Sequence, residues 1–440
     1  MIAVKNQNIA GRIGAFTGVL TTLIPLAFFF SPVSRSLPLG IAPEQAIIGV
    51  VGFFLLVNTF VSGDLTLSSQ NFELLSIFFV FSGLYFLTLV TSPFPVDGNN
   101  LKASITVFGA QAVLLATVTV TIGRSWWLIR RAVNAIVVLN ILLVGLGLTL
   151  LLVTLNVNFF RNGIYALDTT WVKLLRAVTV LHNPNFYART ILFSFPFLLV
   201  PIETGARQGY RYLCFGSAVG SILLVILTFS RTNVIVLGVV ILIIIYRYAS
   251  TPRFENRAIL STLLGGGGIG FAAFFPFLLD RFLGKVSQFT AQGTTLRLTM
   301  FQTSLESFAQ HPIFGTGPGT AMTVLMSDPE MKAAIIQFKG RLVPLAMHNN
   351  FLLVLVEAGA VGLALFVLFL LKYWSSLFAV KSKLRNDEKD LKIIVDATEL
   401  TFVAFIISGL TAVNFGMSII WYIFAIPLAI YRRRILDMIS

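Results

Sequence analysis

Charge is what this sequence lacks most. Among 440 residues, Lys and Arg number 32 and Asp and Glu 18, together 11%, where a soluble chain carries about 25%. Hydrophobic residues make up 56%, and the mean hydropathy is +0.88. Those figures exclude a soluble multidomain enzyme, a disordered protein and a secreted disulfide scaffold. Cysteine is nearly absent too. Cys214 stands alone in an apolar run, so there is no intrachain disulfide and no CxxC redox or metal spacing. It reads as a small buried apolar residue. Three histidines argue against a multi-His site, and no metal or other cofactor is expected. Acidic residues are scarce as well, leaving a net charge of +14. In a soluble protein that excess points to nucleic acid. In so apolar a chain no nucleic-acid partner is expected, and the first question is on which side of a membrane the cations lie.

What is present is a series of long apolar runs. Residues 13–34, 45–63, 74–96, 103–123, 132–160, 212–230, 232–246, 258–279 and 400–431 contain no Asp, Glu, Lys or Arg, and 185–203 and 348–371 tolerate one charge each, Arg189 and Glu357. A bilayer core takes about 20 apolar residues per helix. The runs are continuous rather than alternating and too long for barrel strands. The first follows Lys5 and Arg12 with no small-residue cleavage pattern after it, so it reads as a retained helix. Asn414-Phe415-Gly416 breaks 400–431, which therefore reads as two helices, about 393–413 and 416–431.

The expectation is an all-α polytopic membrane protein of about twelve transmembrane helices. With the N-terminus in the cytoplasm, the cytoplasmic segments collect Arg124, Arg130 and Arg131, six Lys/Arg between 372 and 392, and Arg432–Arg434. The short outer loops are nearly bare, as the positive-inside rule requires. Both termini are then cytoplasmic, and the inner cations read as doing nothing beyond orienting helices. The chain divides into helices one to nine (1–279), a large, partly helical extracytoplasmic loop (280–347) and helices ten to twelve (348–440). A second long outer segment covers 156–184, and Gly265–Gly268 reads as close helix packing.

The outer surface carries the chemistry. Leu298, Phe301, Leu305 and Phe308 form a helical stripe. The expected helix is 295–310, capped by Thr294 or Thr295 and lying along the outer interface over the site. Arg297 would sit in its first turn, where a guanidinium and free amides make an anion site. Arg231 falls in the short outer turn between two runs, Arg189 about one turn into its span, and His348 where the tenth helix re-enters the membrane, beside Asn349 and Asn350. Each has an ordinary reading as well: a solvated arginine, a snorkelling one, or a capping residue. A diphosphate contact suits the arginines, and a base suits the histidine. Glu357 lies about 13 Å deeper and reads as a helix–helix hydrogen-bonding group. Asp328 and Glu330 read as solvated surface. GTGPG (315–319) lacks the Lys-Ser/Thr of a P-loop.

The sequence resembles the O-antigen ligase and O-antigen polymerase superfamily. The matching words are HNPN (182–185), FSR (229–231), RLTMFQTSLESFAQHPIFGTGPG (297–319) and HNNFLLVLVEAGAVGL (348–363). The resemblance implies a metal-independent glycosyltransferase in the bacterial cytoplasmic (inner) membrane, with its active site facing the periplasm. Its donor would be an undecaprenyl-diphosphate-linked glycan, and its acceptor a sugar hydroxyl, on lipid A–core for a ligase or on a lipid-linked glycan for a polymerase. The overall layout leans to the ligase. The resemblance maps the catalytic set onto Arg231, Arg297 and His348: the arginines hold the diphosphate, His348 activates the acceptor, and the anomeric carbon inverts. Arg189 would be an auxiliary diphosphate ligand, with Asn349 and Asn185 secondary. The rival class is a transporter or lipid-glycan flippase. It calls for mid-span ionisable residues, which are few here, and for a polar cavity at the cytoplasmic ends, where none is expected.

Overall fold

In lipid every backbone amide and carbonyl must find its partner within the protein, which leaves helices as the solution for apolar runs of this length. The computed structural model describes residues 15–29, 47–54, 68–94, 109–154, 184–228, 230–249, 286–339, 341–342, 347–385 and 387–439. Among them there is no strand. Residues 15–22 and 47–54 are helical. The named elements are α1 (Ile24–Phe29), α2 (Ser69–Val90), α3 (Ala110–Ile122), α4 (Trp126–Thr154), α5 (Pro184–Ser194), α6 (Leu199–Glu203), α7 (Gln208–Leu227), α8 (Arg231–Ala249), α9 (Val286–Gln310), α10 (Ala321–Ser327), α11 (Pro329–Lys339), α12 (Asn350–Lys383), α13 (Lys389–Gly409) and α14 (Ser418–Ile439). Among the described residues, five helical stretches are long and apolar enough to cross a membrane: Ser69–Val90, Trp126–Val153, Pro184–Glu203, Gln208–Leu227 and Asn350–Lys383. The expected span 258–279, with Gly265–Gly268, and the outer segment up to residue 183 lie outside the described residues.

The two-helix reading of the C-terminal run holds. α13 ends at Gly409 and α14 begins at Ser418, with Asn414 to Gly416 in the connection. α14 is the centre of the bundle: every residue from Met417 to Tyr431 is buried. A helix apolar all round can only sit inside. Trp421 is fully enclosed, 4.7 Å from Phe78 between ring centroids, and its indole N–H donates to the Phe415 carbonyl at 2.8 Å. Pro427 removes one rung from the ladder of α14. On either side of it Tyr373 donates to the Phe424 carbonyl (3.0 Å) and Asn71 to the Leu428 carbonyl (2.8 Å). On α4, Asn140 donates to the Ile191 carbonyl and Ser194 Oγ and accepts from Ser221 Oγ, joining α4, α5 and α7 in the apolar interior.

α12 is broken. Gly359 has φ +66°, and a Cβ there would fall 2.3 Å from the Ile313 carbonyl oxygen. The break strands two carbonyls and two amides, and the turn after α9 takes up all four. Thr316 N donates to Val356 O (2.8 Å) and Gly317 N to Glu357 O (3.0 Å), while Ala360 N donates to Pro312 O (2.8 Å) and Val361 N to Ile313 O (3.3 Å). The HPIFGTGPG and EAGAVG words are thus two halves of one backbone seam. Residues 350–358 form a half-helix above it, and the membrane-length part of α12 follows.

Three expectations need correction. α9 begins by Val286, well before the expected Thr294 or Thr295 cap, so Arg297 is mid-helix and its amide is not a free donor. Its apolar stripe is where periodicity placed it, with Leu298, Phe301 and Leu305 exposed, while Leu296, Met300 and Ser304 pack inward. Second, the cations near the start of α13 do more than orient helices. Arg247 pairs with Glu399 (2.8 Å), Lys381 with Asp396, Arg130 with Asp390 (2.8 Å) and Arg434 with Glu388 (3.1 Å). Composition concealed this because cations from four helices converge only in space on the acids of a fifth, α13, and of the residue before it. Third, the same end holds an open cavity of about 840 Å³, lined in part by Arg130, Asn134, Glu203, Tyr210, Asp387 and Lys389.

Asp328 is also more than solvated surface. Its Oδ1 accepts the amides of Glu330 (2.7 Å) and Met331 (3.2 Å), capping α11 ahead of Pro329, and its Oδ2 accepts Thr303 Oγ1 on α9. Partial burial pushes its pKa up, but the Thr303 and two amide hydrogen bonds outweigh it and hold the carboxyl below its ordinary value of 3.8. A depressed folded pKa means the stabilisation is complete at neutral pH and is lost as pH falls through that value. Asp328→Ala is expected to cost about 1 kcal/mol at pH 7, and the gap between variant and wild-type melting curves should close as pH drops below 3.8. A pH-independent gap would refute the carboxylate's part. For the seam, Gly359→Ala should cost at least about 2 kcal/mol in detergent unfolding. Gly216→Ala, where an added Cβ meets nothing within 4 Å, should leave stability unchanged or raised.

Candidate functional site

The site is assembled at the end of the bundle opposite the cavity, since α13 starts at the cavity and ends here. Its first element is the start of α12. Asn349 is extended (φ −156°), and its Oδ1 accepts the amides of Phe351 (2.8 Å) and Leu352 (3.0 Å), so it is the N-cap. Its Nδ2 donates to the Leu410 carbonyl at 3.0 Å, beyond the end of α13. His348, immediately before the cap, is exposed. Capping and exposure go together: the cap fixes where the chain enters the helix, and the preceding side chain is left at the surface.

Asn350 turns the other way and is buried. Its Oδ1 accepts the Asn414 amide at 2.8 Å. Asn414 in turn offers Oδ1 to Arg189 Nη1 (2.6 Å) and donates through Nδ2 to Ser408 Oγ (2.7 Å). Arg189 is 6% exposed. Its Nη1 also donates to the Val413 carbonyl (2.9 Å) and its Nε to the Asn185 carbonyl (3.1 Å), with the guanidinium 4.5 Å from the Phe186 ring centroid. No snorkelling is involved: the guanidinium is held by carbonyl oxygens and an amide. The Asn185 carbonyl also accepts Asn233 Nδ2 (3.2 Å), from the first turn of α8. Arg231 is the first residue of that helix.

One hydrogen-bonded chain therefore runs from beside His348, through Asn350, Asn414, Arg189 and Asn185, to the turn that carries Arg231. It joins the starts of α5, α8 and α12 to the α13–α14 connection. Arg297 approaches from α9. Ser304 Oγ lies 4.0 Å from Met347 Sδ, next to His348. Arg297 is exposed two turns earlier on nearly the same face, about 10 Å along the axis. The structure thus links the segments of His348, Asn349, Asn185 and Arg189 and the first turn of α8, where Arg231 lies, while Arg297 stands two turns along α9 from the Ser304–Met347 contact.

Sequence reading missed Asn414 and Asn233. Asn414 was visible only as part of a helix break, and Asn233 as a polar residue in an apolar run. Nothing along the chain says that both address the residue 185–189 turn. Among the described residues no group of three or more His, Cys, Asp or Glu could hold a metal.

Asn414→Ala removes an acceptor from a buried guanidinium and should cost about 1.5–3 kcal/mol, read by chemical unfolding of the purified protein. Asn414→Asp, which keeps the acceptor for Arg189, should cost less. A change under about 0.5 kcal/mol in the alanine variant would show that Arg189 does not depend on this partner.

No curated protein gives a significant match to the chain. Residues 216–367 match the model of the O-antigen ligase family. That stretch contains Arg231, Arg297, the backbone seam and His348, and it leaves Asn185, Arg189 and Asn414 outside. The long apolar helices mark the chain as a polytopic helical membrane protein, and its residues 216–367 are similar to the O-antigen ligase family.

Proposed function

We propose that this protein transfers an undecaprenyl-diphosphate-linked glycan to an acceptor sugar hydroxyl at the outer face of the bacterial inner membrane, with lipid A–core as acceptor. Twelve helices with both termini in the cytoplasm would set the site on that face. The observation that supports the reading is the hydrogen-bonded chain at one bundle end, which links the start of α8, where Arg231 lies, to buried Arg189 and to the helix start beside exposed His348; Arg297 lies two turns along α9 from Ser304, which meets Met347.

The chemistry follows from those residue types. His348 takes the proton of the acceptor hydroxyl. The oxygen attacks the anomeric carbon from the side opposite the diphosphate. The carbon–oxygen bond to the diphosphate breaks with its electron pair leaving on the phosphate, and the anomeric configuration inverts. Arg231 and Arg297 neutralise the departing charge. Arg189 has spent Nε and Nη1 on Asn185, Val413 and Asn414, so its contribution to the diphosphate is a positive charge behind the site. Asn349 fixes the helix entry beside His348. The exposed Leu298, Phe301 and Leu305 stripe of α9 suits a helix lying on the outer leaflet, where the polyprenyl donor resides.

Transport or flipping would need a polar route from the cavity to the site. Between the two ends α13 buries Val395, Ala397, Leu400, Phe402, Ala404 and Phe405, and its Thr398 and Thr401 hydroxyls donate to the carbonyls of Ile394 and Phe193. That composition supports catalysis over passage.

The test is a purified-protein reaction with a defined undecaprenyl-diphosphate oligosaccharide, alone and with a lipid A–core acceptor. Product only with the acceptor is the expected result, and chain lengthening with donor alone would make the protein a polymerase. His348→Ala should lower the rate by about 10²–10⁴ and Arg297→Ala by about 10²–10³, with normal membrane insertion. Wild-type rates in both variants would sink the assignment.

A further inference from the structure

Glu357 takes no part in the reaction just described, yet three segments of chain meet on it. It is 4% exposed and lies in the half-helix that starts beside His348. Its Oε2 accepts Tyr85 Oη from α2 at 2.9 Å, and its Oε1 accepts the Ala321 amide, where the turn after α9 enters α10, at 3.2 Å. Its own carbonyl accepts the Gly317 amide in the seam. Direct action on a reacting atom at His348 is excluded by distance, since nine residues of helix separate them by about 13 Å.

A helical segment of only nine residues, 350–358, does not hold its own conformation. Its position must be imposed from outside. Its first turn is tied down by Asn349 to Leu410 and by Asn350 to Asn414. Its last turn is tied by the seam and by the Glu357 carboxyl group, enclosed in protein and accepting from two neighbours at once. One neighbour is the membrane helix α2. The other is the segment leading directly from α9, the helix of Arg297.

We infer that Glu357 is a positioning residue: its carboxylate, bonded at once to Tyr85 and the Ala321 amide, fixes the half-helix of His348 against α2 and against the segment descending from Arg297. This rests on the transfer reaction proposed above. The geometry, not the charge, is what matters. A glutamine can accept from Ala321 through its oxygen and donate to Tyr85 Oη through its amide, so it should serve nearly as well.

The experiment compares Glu357→Ala, Glu357→Gln and Tyr85→Phe with wild type in the full-length protein, measuring transfer kinetics and, separately, backbone hydrogen exchange. Glu357→Ala should lower kcat about 10- to 100-fold with the donor KM changed less than about threefold. Glu357→Gln should stay within about fivefold of wild type, and Tyr85→Phe should fall between the two. Exchange should rise in 312–321 and 350–358 of the alanine variant and stay unchanged in 389–409. Wild-type kcat in Glu357→Ala, a glutamine variant as slow as the alanine one, or unaltered exchange in the half-helix each overturns the inference. If the wild-type protein transfers nothing from the lipid-linked donor, the reaction reading fails by itself, and the exchange pattern still decides whether Glu357 holds the half-helix.

Discussion

A helix that breaks within apolar surroundings must recover its lost hydrogen bonds from somewhere, and in this protein the recovery organises the candidate site. At Gly359 the ladder of α12 stops, and the turn 312–317 supplies two amides and two carbonyls to the groups left bare. The break therefore exists only because the turn fills it, and the turn has its shape only because the break receives it. Gly315 and Gly317, at φ +70° and +98°, let that backbone approach so closely. Ser92 on the chain leaving α2 completes the lock by donating to the Thr316 carbonyl at 2.6 Å.

The two ends of the bundle are held by different physics. Around the start of α13, acids and cations cancel one another in pairs, several of them half exposed and individually worth little. At the site end, one buried guanidinium is surrounded by neutral acceptors, Asn414 and the carbonyls of Val413 and Asn185. Among the described residues no carboxylate is among its hydrogen-bond partners, so its charge is oriented without being cancelled. The 32 cations of the chain are in this sense unevenly matched: several are met by acids at one end, whereas Arg189 at the other is met by neutral acceptors.

Much of this was legible along the chain. Apolar runs without charge mark helices because lipid leaves the backbone no alternative, and the division of residues 400–431 followed from the Asn414-Phe415-Gly416 interruption. The words around residues 312–319 and 357–362 stood out together, although nothing in their spacing says that they bond to each other. What escaped was pairing at long range. Asn350 and Asn414 are 64 positions apart, and Tyr85 and Glu357 272 apart. A polar residue in an apolar run declares a need for a partner without naming it. The start of α9 was misplaced for a different reason: threonine is a common cap, but Thr294 and Thr295 here sit inside a helix that had already begun.

The seam has a consequence for how such a chain can vary. Because residues 312–317 and 356–361 bond to each other, everything between them leaves and returns to the same place, as a closed excursion containing α10, α11 and the approach to His348. Lengthening a closed excursion costs little, about 0.6 kcal/mol for each doubling, provided its ends stay clasped. Changes in length within that excursion could thus leave the clasp in place, provided α10 and α11 keep their contacts with α9 and Glu357. The clasp gives that stretch of the protein a fixed base from which it departs and to which it returns.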